Sequence, residues 1–294
     1  MTDWPLHRLA VVAVVLTSVL NSFGGVLVRS LEQATPWQLI CYRAGATAST
    51  LAIIYIVQTR GAALRTILSI TPWGLLGAVF LASAQSSFIF SLTHTTVANT
   101  LFVLSGMPFF TAILAWVVLG ERVRRVTWIA IAVAMCGIAI MLWDSIGAGT
   151  MLGNVFALVT SVSFSAYIVI LRLGRAANML PVVVLGASLA CLGGAVFSGL
   201  DLDVPPGDVG IALAWGIGIS GLAHLLFTFG SRHVAGAELT LLMLVEFILG
   251  PLWVWWLFDE RASGLTLVGG LLVMAAVVSR GLAGIAPKRR TPLA

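Results

Sequence analysis

Ten long apolar runs dominate the sequence and restrict its fold more than any other feature. Each run meets or approaches the roughly 20 residues that a helix needs to cross the hydrocarbon core of a bilayer. They are too long for the strands of a membrane barrel, and no alternation of apolar and polar residues accompanies them. The sequence therefore predicts an all-α integral membrane protein with ten transmembrane helices. These cover about residues 9–28, 37–57, 73–93, 96–118, 126–143, 151–171, 181–199, 209–229, 236–257 and 264–282.

The composition argues against several classes of protein. Of the 294 residues, 60% are hydrophobic and 9% are charged, whereas a soluble domain averages about 25% charged residues. The four His are scattered and the three Cys are isolated within predicted spans. No phosphate-binding loop, dinucleotide fingerprint, metal-ligand cluster or catalytic triad is discernible. We therefore predict neither an enzyme nor an ATP-driven pump, with no cofactor, no metal and no nucleic acid partner.

The distribution of Lys and Arg predicts the orientation in the bilayer. With an even number of spans and a cytoplasmic N-terminus, nearly all basic loop residues fall on the cytoplasmic side. Only Arg29 and Arg261 are left for the outside, where most acidic loop residues lie. Because basic loops stay in the cytoplasm, we expect both termini inside, in the cell (inner) membrane. Residues 287–294 are then a basic cytoplasmic tail.

A short pattern occurs twice, 139 residues apart, at the ends of corresponding apolar runs. It indicates a duplication with halves at 1–145 and 146–286, each of five spans. Because five is odd, the second half enters the membrane from the opposite side, so the two five-helix repeats are predicted to be inverted. The Glu-Arg pairs of the pattern are interpreted as residues that cap helix ends. The pattern is His94, Ala98, Trp116, Glu121, Arg122 and again His233, Ala237, Trp255, Glu260, Arg261.

Residues 93–141 resemble the EamA domain of the drug/metabolite transporter superfamily. In that family a helix rich in small residues ends in a Gly-Glu pair, here Gly120-Glu121, and a helix with an internal Gly follows. Residues 246–278 are similar, with Asp259 in place of the Gly. The resemblance implies a secondary transporter that carries small organic metabolites, often amino acids, out of the cell. It implies alternating access to a cavity between the halves. We expect a monomer or weak homodimer.

Glu246, Arg43 and Asn21 are the first candidates for the substrate site, because polar groups inside a bilayer are costly. Glu246 lies near the middle of the ninth run. It could couple transport to protons, bind a substrate ammonium group, or form a structural hydrogen bond. Arg43 could pair with Glu246, bind a substrate carboxylate, or extend its long side chain to the headgroups. Asn21 in the first run could bind substrate or join two helices.

Four further residues are weaker candidates. Gln85 and His224 occupy equivalent positions under the 139-residue offset, and His224 could relay a proton or be a structural His. Asn99 and Glu238 also correspond. Asn99 could be interhelical glue, and Glu238 could simply favour the positive end of a helix dipole. Apart from these four, Trp215 could line a site for an aromatic solute.

Two prolines predict breaks in corresponding helices. Pro108 and Pro251 lie inside the fourth and ninth runs, and a proline removes one bond of the helical ladder. Broken helices in both halves point to a binding or moving region.

The alternatives to a coupled transporter are an uncoupled facilitator or channel, or a flippase for a lipid-like solute.

Overall fold

The computed structural model describes residues 4–59, 70–148, 150–174 and 180–285. Ten helical spans within these ranges are long and apolar enough to cross a membrane, which confirms the all-α membrane class. We number them span 1 to span 10. Their bounds are Trp4–Ser22 with Gly24–Arg29 (span 1), Pro36–Thr59 (2), Pro72–His94 (3), Val97–Ser105 with Met107–Leu119 (4), Arg125–Ala148 (5), Met151–Leu173 (6), Leu180–Phe197 (7), Pro206–Ala214, Trp215–Gly221 and Leu222–Ser231 (8), Gly236–Phe258 (9) and Gly264–Ile285 (10).

Successive spans run in alternate directions, so every described loop belongs to one of two membrane faces. We call the face at which span 1 begins the N-terminal face, and the other the far face. Spans 1, 3, 5, 7 and 9 run towards the far face. The predicted basic tail, 287–294, lies outside the described residues.

Spans from the two predicted halves pack directly on each other. Span 3 lies along span 6 and span 2 along span 7, while span 1 packs on the last part of span 8 and on span 9. Hydroxyl groups join spans 3 and 6, with Ser87 Oγ 2.9 Å from Thr160 Oγ1 and Ser83 Oγ 3.3 Å from Ser163 Oγ. These contacts place spans 1, 2, 3, 6, 7, 8 and 9 where the two predicted halves meet.

The helix interruptions differ partly from the prediction. Span 4 does break beside Pro108, after Gly106. Span 9 continues through Pro251 as one helix, so the prediction of a break there is wrong. Span 8 is interrupted instead by a π-helical turn, Trp215–Gly221, and span 1 by a turn at Phe23.

Candidate functional site

Glu246 and Asn21 meet in the interior of the membrane. Glu246 lies ten residues into span 9, or about 15 Å from its start at a rise of 1.5 Å per residue. The amide Nδ2 of Asn21 donates to Oε2 of Glu246 at 3.4 Å. Within the described part of the chain, no Lys, Arg or His lies within ion-pair distance of this carboxylate. The amide is therefore its neighbour on span 1, and the group keeps capacity for a further partner.

The rest of this face of span 1 is also polar and bonded to the second half. Thr17 Oγ1 donates to the carbonyl of Ala223 at 3.3 Å and Ser18 Oγ to that of Leu242 at 3.3 Å. Ser22 Oγ accepts from Trp253 Nε1 at 3.0 Å. Sequence reasoning selected Asn21 alone. The helical spacing of Thr17 and Ser18 before Asn21 and Ser22 was a usable signal, because residues four apart share a face.

Arg43 is buried, with 7% of its surface exposed. Its Nε has no hydrogen-bond partner, and its Cζ lies 4.8 Å from the centre of the Trp215 ring. A cation over an indole face is stabilised by the ring quadrupole. The side chain neither reaches the headgroups nor forms an ion pair with Glu246 in this structure. It is thus a buried cation without an acidic partner among the described residues.

The backbone around Trp215 explains how the ring comes to lie there. Trp215 begins the π-helical turn, a type of distortion frequent at functional sites. Gly216 lets span 8 approach span 2 closely, since a Cβ there would be 2.5 Å from the carbonyl oxygen of Arg43. The indole also packs on Gly24, where a Cβ would lie 3.1 Å from the ring. Trp215 therefore contacts Arg43 on span 2 and Gly24 on span 1, about one turn beyond Asn21.

Gln85 and His224 are both partly buried, and neither side chain bonds to a described residue. Gln85 lies nine residues before the far-face end of span 3, a depth similar to that of Asn21 and Arg43. His224 lies seven residues before the N-terminal-face end of span 8. The structure thus places Gln85 in the layer of Arg43, and His224 more than two helical turns closer to the N-terminal face.

Asn99 and Glu238 lie at opposite faces and apart from this layer. Asn99 is buried, with its Oδ1 accepting from Thr266 Oγ1 at 2.6 Å and its Nδ2 donating to Thr95 Oγ1 at 3.0 Å. Glu238 lies in the first turn of span 9, 3.4 Å from His7 Nε2, with a third of its side chain exposed. Both side chains already have polar partners, so a structural role is sufficient to explain each residue.

A groove of about 660 Å³ lies elsewhere, between spans 2, 7 and 8. It is lined by apolar and hydroxyl side chains around Cys41, Ile53 and Ile217, and by none of the seven candidate residues. Ile53 and Ile217 are more than half exposed on apolar spans, so the groove faces lipid. Within the described ranges, no group of three His, Cys, Asp or Glu could hold a metal ion.

Ten apolar spans, with a carboxylate and a guanidinium held inside them, define a multi-pass membrane protein with a polar interior site. Residues 8–143 match the model of the EamA-like transporter family. This match covers the first five spans, so this part of the chain resembles EamA-like transporters, a class that the ten apolar spans also fit.

Individual proteins similar to this chain are also named as transporters. The pseudopaline exporter CntI of Pseudomonas aeruginosa, in strains UCBPP-PA14 and PAO1, is 24% identical over 279 residues, which cover 93% of this chain and 96% of the exporter. An uncharacterized transporter of Archaeoglobus fulgidus is 27% identical over 212 residues, 69% of this chain and 74% of that protein. A protein of known crystal structure superposes with a TM-score of 0.66 at 17% identity, covering 95% of this chain and 99% of its own; this likeness concerns the fold alone.

Proposed function

We propose that the protein is a secondary transporter that exports small organic metabolites, with amino acids as the favoured class. Transport proceeds by alternating access between two inverted halves, residues 1–145 and 146–286. The family match supports transport, and a relative named as an exporter that aligns over nearly the whole chain supports the direction. The arrangement of Glu246, Asn21 and Arg43 supports the class of cargo.

The observation that carries this proposal is the unpaired state of two opposite charges inside the membrane. Glu246 contacts only an amide among the described polar groups, and Arg43 has an orphaned Nε beneath an indole ring. Burying ionisable groups in a bilayer is costly enough that they usually serve a function. A zwitterion would supply a carboxylate for the guanidinium and an ammonium group for Glu246. An Arg can hold a carboxylate with two parallel bonds.

The neighbours of Arg43 suit the remainder of such a solute. Trp215 offers an apolar face, and Gln85 at similar depth offers an amide donor and acceptor. A hydrophobic or aromatic amino acid would fill this environment best. His224 lies nearer the N-terminal face on span 8, and we propose that it passes protons between the interior and water on that side.

We propose that both termini are cytoplasmic and that the membrane is the inner membrane. The support is the excess of Lys and Arg in loops of the N-terminal face. The far face is then external, and export runs from the N-terminal face to the far face.

The cargo class is tested by transport into and out of proteoliposomes. A panel of labelled L-amino acids and the matching decarboxylated amines is offered at two pH values. We expect saturable transport of amino acids and none of the amines. Arg43→Lys should raise the KM for amino acids about tenfold or more, because the ammonium group cannot bind the carboxylate bidentately. Arg261→Lys, at the exposed far face, is the matched control and should behave like wild type. Equal transport of acids and amines would refute the role of Arg43.

Proton coupling is tested separately with Glu246→Gln. We expect amino acid flux to lose its dependence on pH, since the amide cannot take up or release a proton. Glu32→Gln, at an exposed loop residue, is the control. Unchanged pH dependence in Glu246→Gln would eliminate that role.

The same vesicles separate the alternatives. Flux that does not saturate with concentration would indicate a channel or uncoupled facilitator. Transport of a fluorescent lipid that water-soluble amino acids do not inhibit would indicate a flippase. If no amino acid or related metabolite moves above the leakage of empty vesicles, the proposal is refuted.

A further inference from the structure

Two ion pairs at opposite membrane faces join the two predicted halves. At the far face, Arg29 Nε donates to Oε2 of Glu260 at 2.6 Å. At the N-terminal face, Arg172 Nη2 donates to Oε1 of Glu121. Arg29 ends span 1 and Glu260 follows span 9, whereas Arg172 lies at the end of span 6 and Glu121 follows span 4. Each pair therefore takes one residue from 1–145 and the other from 146–286.

The two glutamates occupy the same kind of turn. Span 4 ends at Gly120, with φ +68°, and span 9 at Asp259, with φ +53°. Both residues adopt the left-handed conformation that commonly ends a helix. The amide of Glu121 then donates to the carbonyl of Ala115, and that of Glu260 to Val254, each at 3.3 Å. The two spans thus end alike and project each glutamate from an equivalent position, 139 residues apart.

The two arginines also correspond. Residues 17–29, TSVLNSFGGVLVR, align without gaps with residues 160–172, TSVSFSAYIVILR, and share Thr, Ser, Val, Ser, Val and the final Arg. The offset is 143 residues in this pair of spans. Under it Arg29 corresponds to Arg172, so the two ion pairs are equivalent under the proposed inverted symmetry.

The pairs differ in how firmly they are held. At the far face, the side chains of Arg29 and Glu260 are 26% and 15% exposed. Arg29 also donates to the carbonyls of Leu92 at 2.7 Å and Thr95 at 2.9 Å, and Glu260 accepts from the Val97 amide at 2.6 Å. At the N-terminal face, the side chains of Arg172 and Glu121 are 45% and 46% exposed. The far face is therefore closed more tightly.

We propose that these ion pairs are the two gates of the transport cycle. Arg29–Glu260 closes the far face and Arg172–Glu121 closes the N-terminal face. The structure, with both formed, is an occluded state in which the N-terminal-face pair is the weaker. Each pair breaks when its face opens, while the other stays closed. This inference rests on the alternating access of the proposed function but not on the identity of the cargo.

The gates are tested without any cargo by distances between spin labels across each face. In a background lacking Cys41, Cys136 and Cys191, one label pair replaces Gln33 and Arg261 at the far face. A second pair, in a separate sample, replaces Arg122 and Arg232 at the N-terminal face. All four positions are exposed and each pair spans the two halves.

We expect opposite responses from the two gate variants. Glu260→Gln should raise the population with a long far-face distance roughly tenfold or more, because it leaves a partly buried Arg29 unpaired. It should also narrow the N-terminal-face distances. Glu121→Gln should do the reverse, by about two- to fivefold, as for an exposed ion pair. Variants that loosen only their own face, or both faces together, would show that the pairs are merely structural.

A cross-linking experiment tests whether each face must open during transport. In the same background, Arg29→Cys with Glu260→Cys, or Arg172→Cys with Glu121→Cys, is closed with a short bifunctional thiol reagent in proteoliposomes. Counterflow of labelled L-amino acids should stop and return on reduction. Treatment of each single-cysteine variant should leave its flux equal to that of the same variant without reagent. Undiminished flux in the cross-linked protein would overturn the gates. Absence of amino acid flux from wild type would instead refute the proposed cargo and leave the distance experiment to decide.

Discussion

Asp208 makes a contact between the halves whose contribution can be worked out. Only 2% of this residue is exposed, and it lies in the first turn of span 8. Its Oδ1 accepts from the amide of Glu32 at 3.0 Å, and its Oδ2 accepts from Gln33 at 2.9 Å and Ala34 at 2.8 Å. A single carboxylate thereby fixes the loop between spans 1 and 2 to the start of span 8.

Asp208→Asn keeps the shape of the side chain and removes one acceptor atom. An amide has one oxygen and an NH2 group that cannot accept, so either orientation leaves at least one of the three amides facing a donor. A hydrogen bond to a charged group contributes about 1.5–3 kcal/mol, and an unsatisfied buried donor costs a comparable amount. We therefore expect a loss of about 2–3 kcal/mol in the free energy of unfolding. For a chain of this length, that lowers the melting temperature by about 3–6 °C.

The measurement is the fraction of monodisperse protein that survives heating in detergent, determined by size-exclusion chromatography. Asp203→Asn is the matched control, because Asp203 is exposed in the loop that leads into span 8. Its melting temperature should stay within about 1 °C of wild type, as for most exposed substitutions. If Asp208→Asn also melts with wild type, the three amides do not depend on the carboxylate and the reasoning fails.

Two further predictions concern helix packing and a face of the membrane. Gly269→Ala should lower stability by about 1–3 kcal/mol, because its Cβ would meet the Gly137 carbonyl at 2.5 Å. Gly193→Ala, with nothing within 4 Å, should be neutral or slightly stabilising; equal melting of the two would contradict this packing argument. Glu238→Gln should change the free energy of unfolding by less than about 1 kcal/mol and leave amino acid flux unchanged. Lost flux would place Glu238 in the transport path.

The helical spans could be read from the sequence because their signal is simple. A run of about 20 apolar residues has few folds open to it in a bilayer, and the short loops left little ambiguity. Some helix ends differ from the prediction by a few residues. Span 8, for example, begins at Pro206 rather than near residue 209, and Asp208 in its first turn accepts hydrogen bonds from the loop between spans 1 and 2.

The interruptions of the helices were less predictable. Pro108 lies beside a real break, yet Pro251 is accommodated within span 9. In a membrane, neighbouring helices can satisfy the backbone groups that a proline frees, so proline alone does not decide. The π-helical turn of span 8 depends on the contact of Gly216 with Arg43 and Thr47, which is a tertiary feature and leaves no local signal.

The candidate site was predictable by residue type but not by partner. The cost of polar groups in lipid selected Glu246, Asn21 and Arg43, because few such residues occur inside the spans. Which of them meet depends on helix rotation and packing. The sequence therefore left a Glu246–Arg43 pair open, whereas the structure gives Asn21 to Glu246 and Trp215 to Arg43. The two glutamates read as helix caps proved to reach arginines of the other half, and Glu260 caps span 4 rather than the helix after it.

The two predicted halves carry corresponding residues at the membrane faces but not in the middle of the membrane. This difference argues for transport of an asymmetric solute. Under the proposed inversion, the face-closing residues are alike, since both faces perform the same step in turn. The middle is not alike, because Glu246 corresponds to Met107. Asn21 binds the Glu246 side chain, whereas its counterpart under the 143-residue offset is Phe164, which has no polar group in its side chain. A solute with a distinct acidic and basic end binds once, in one orientation, and needs one carboxylate and one guanidinium rather than two of each. Placing the acid at only one of the equivalent positions therefore favours a zwitterion over a symmetric or wholly apolar cargo.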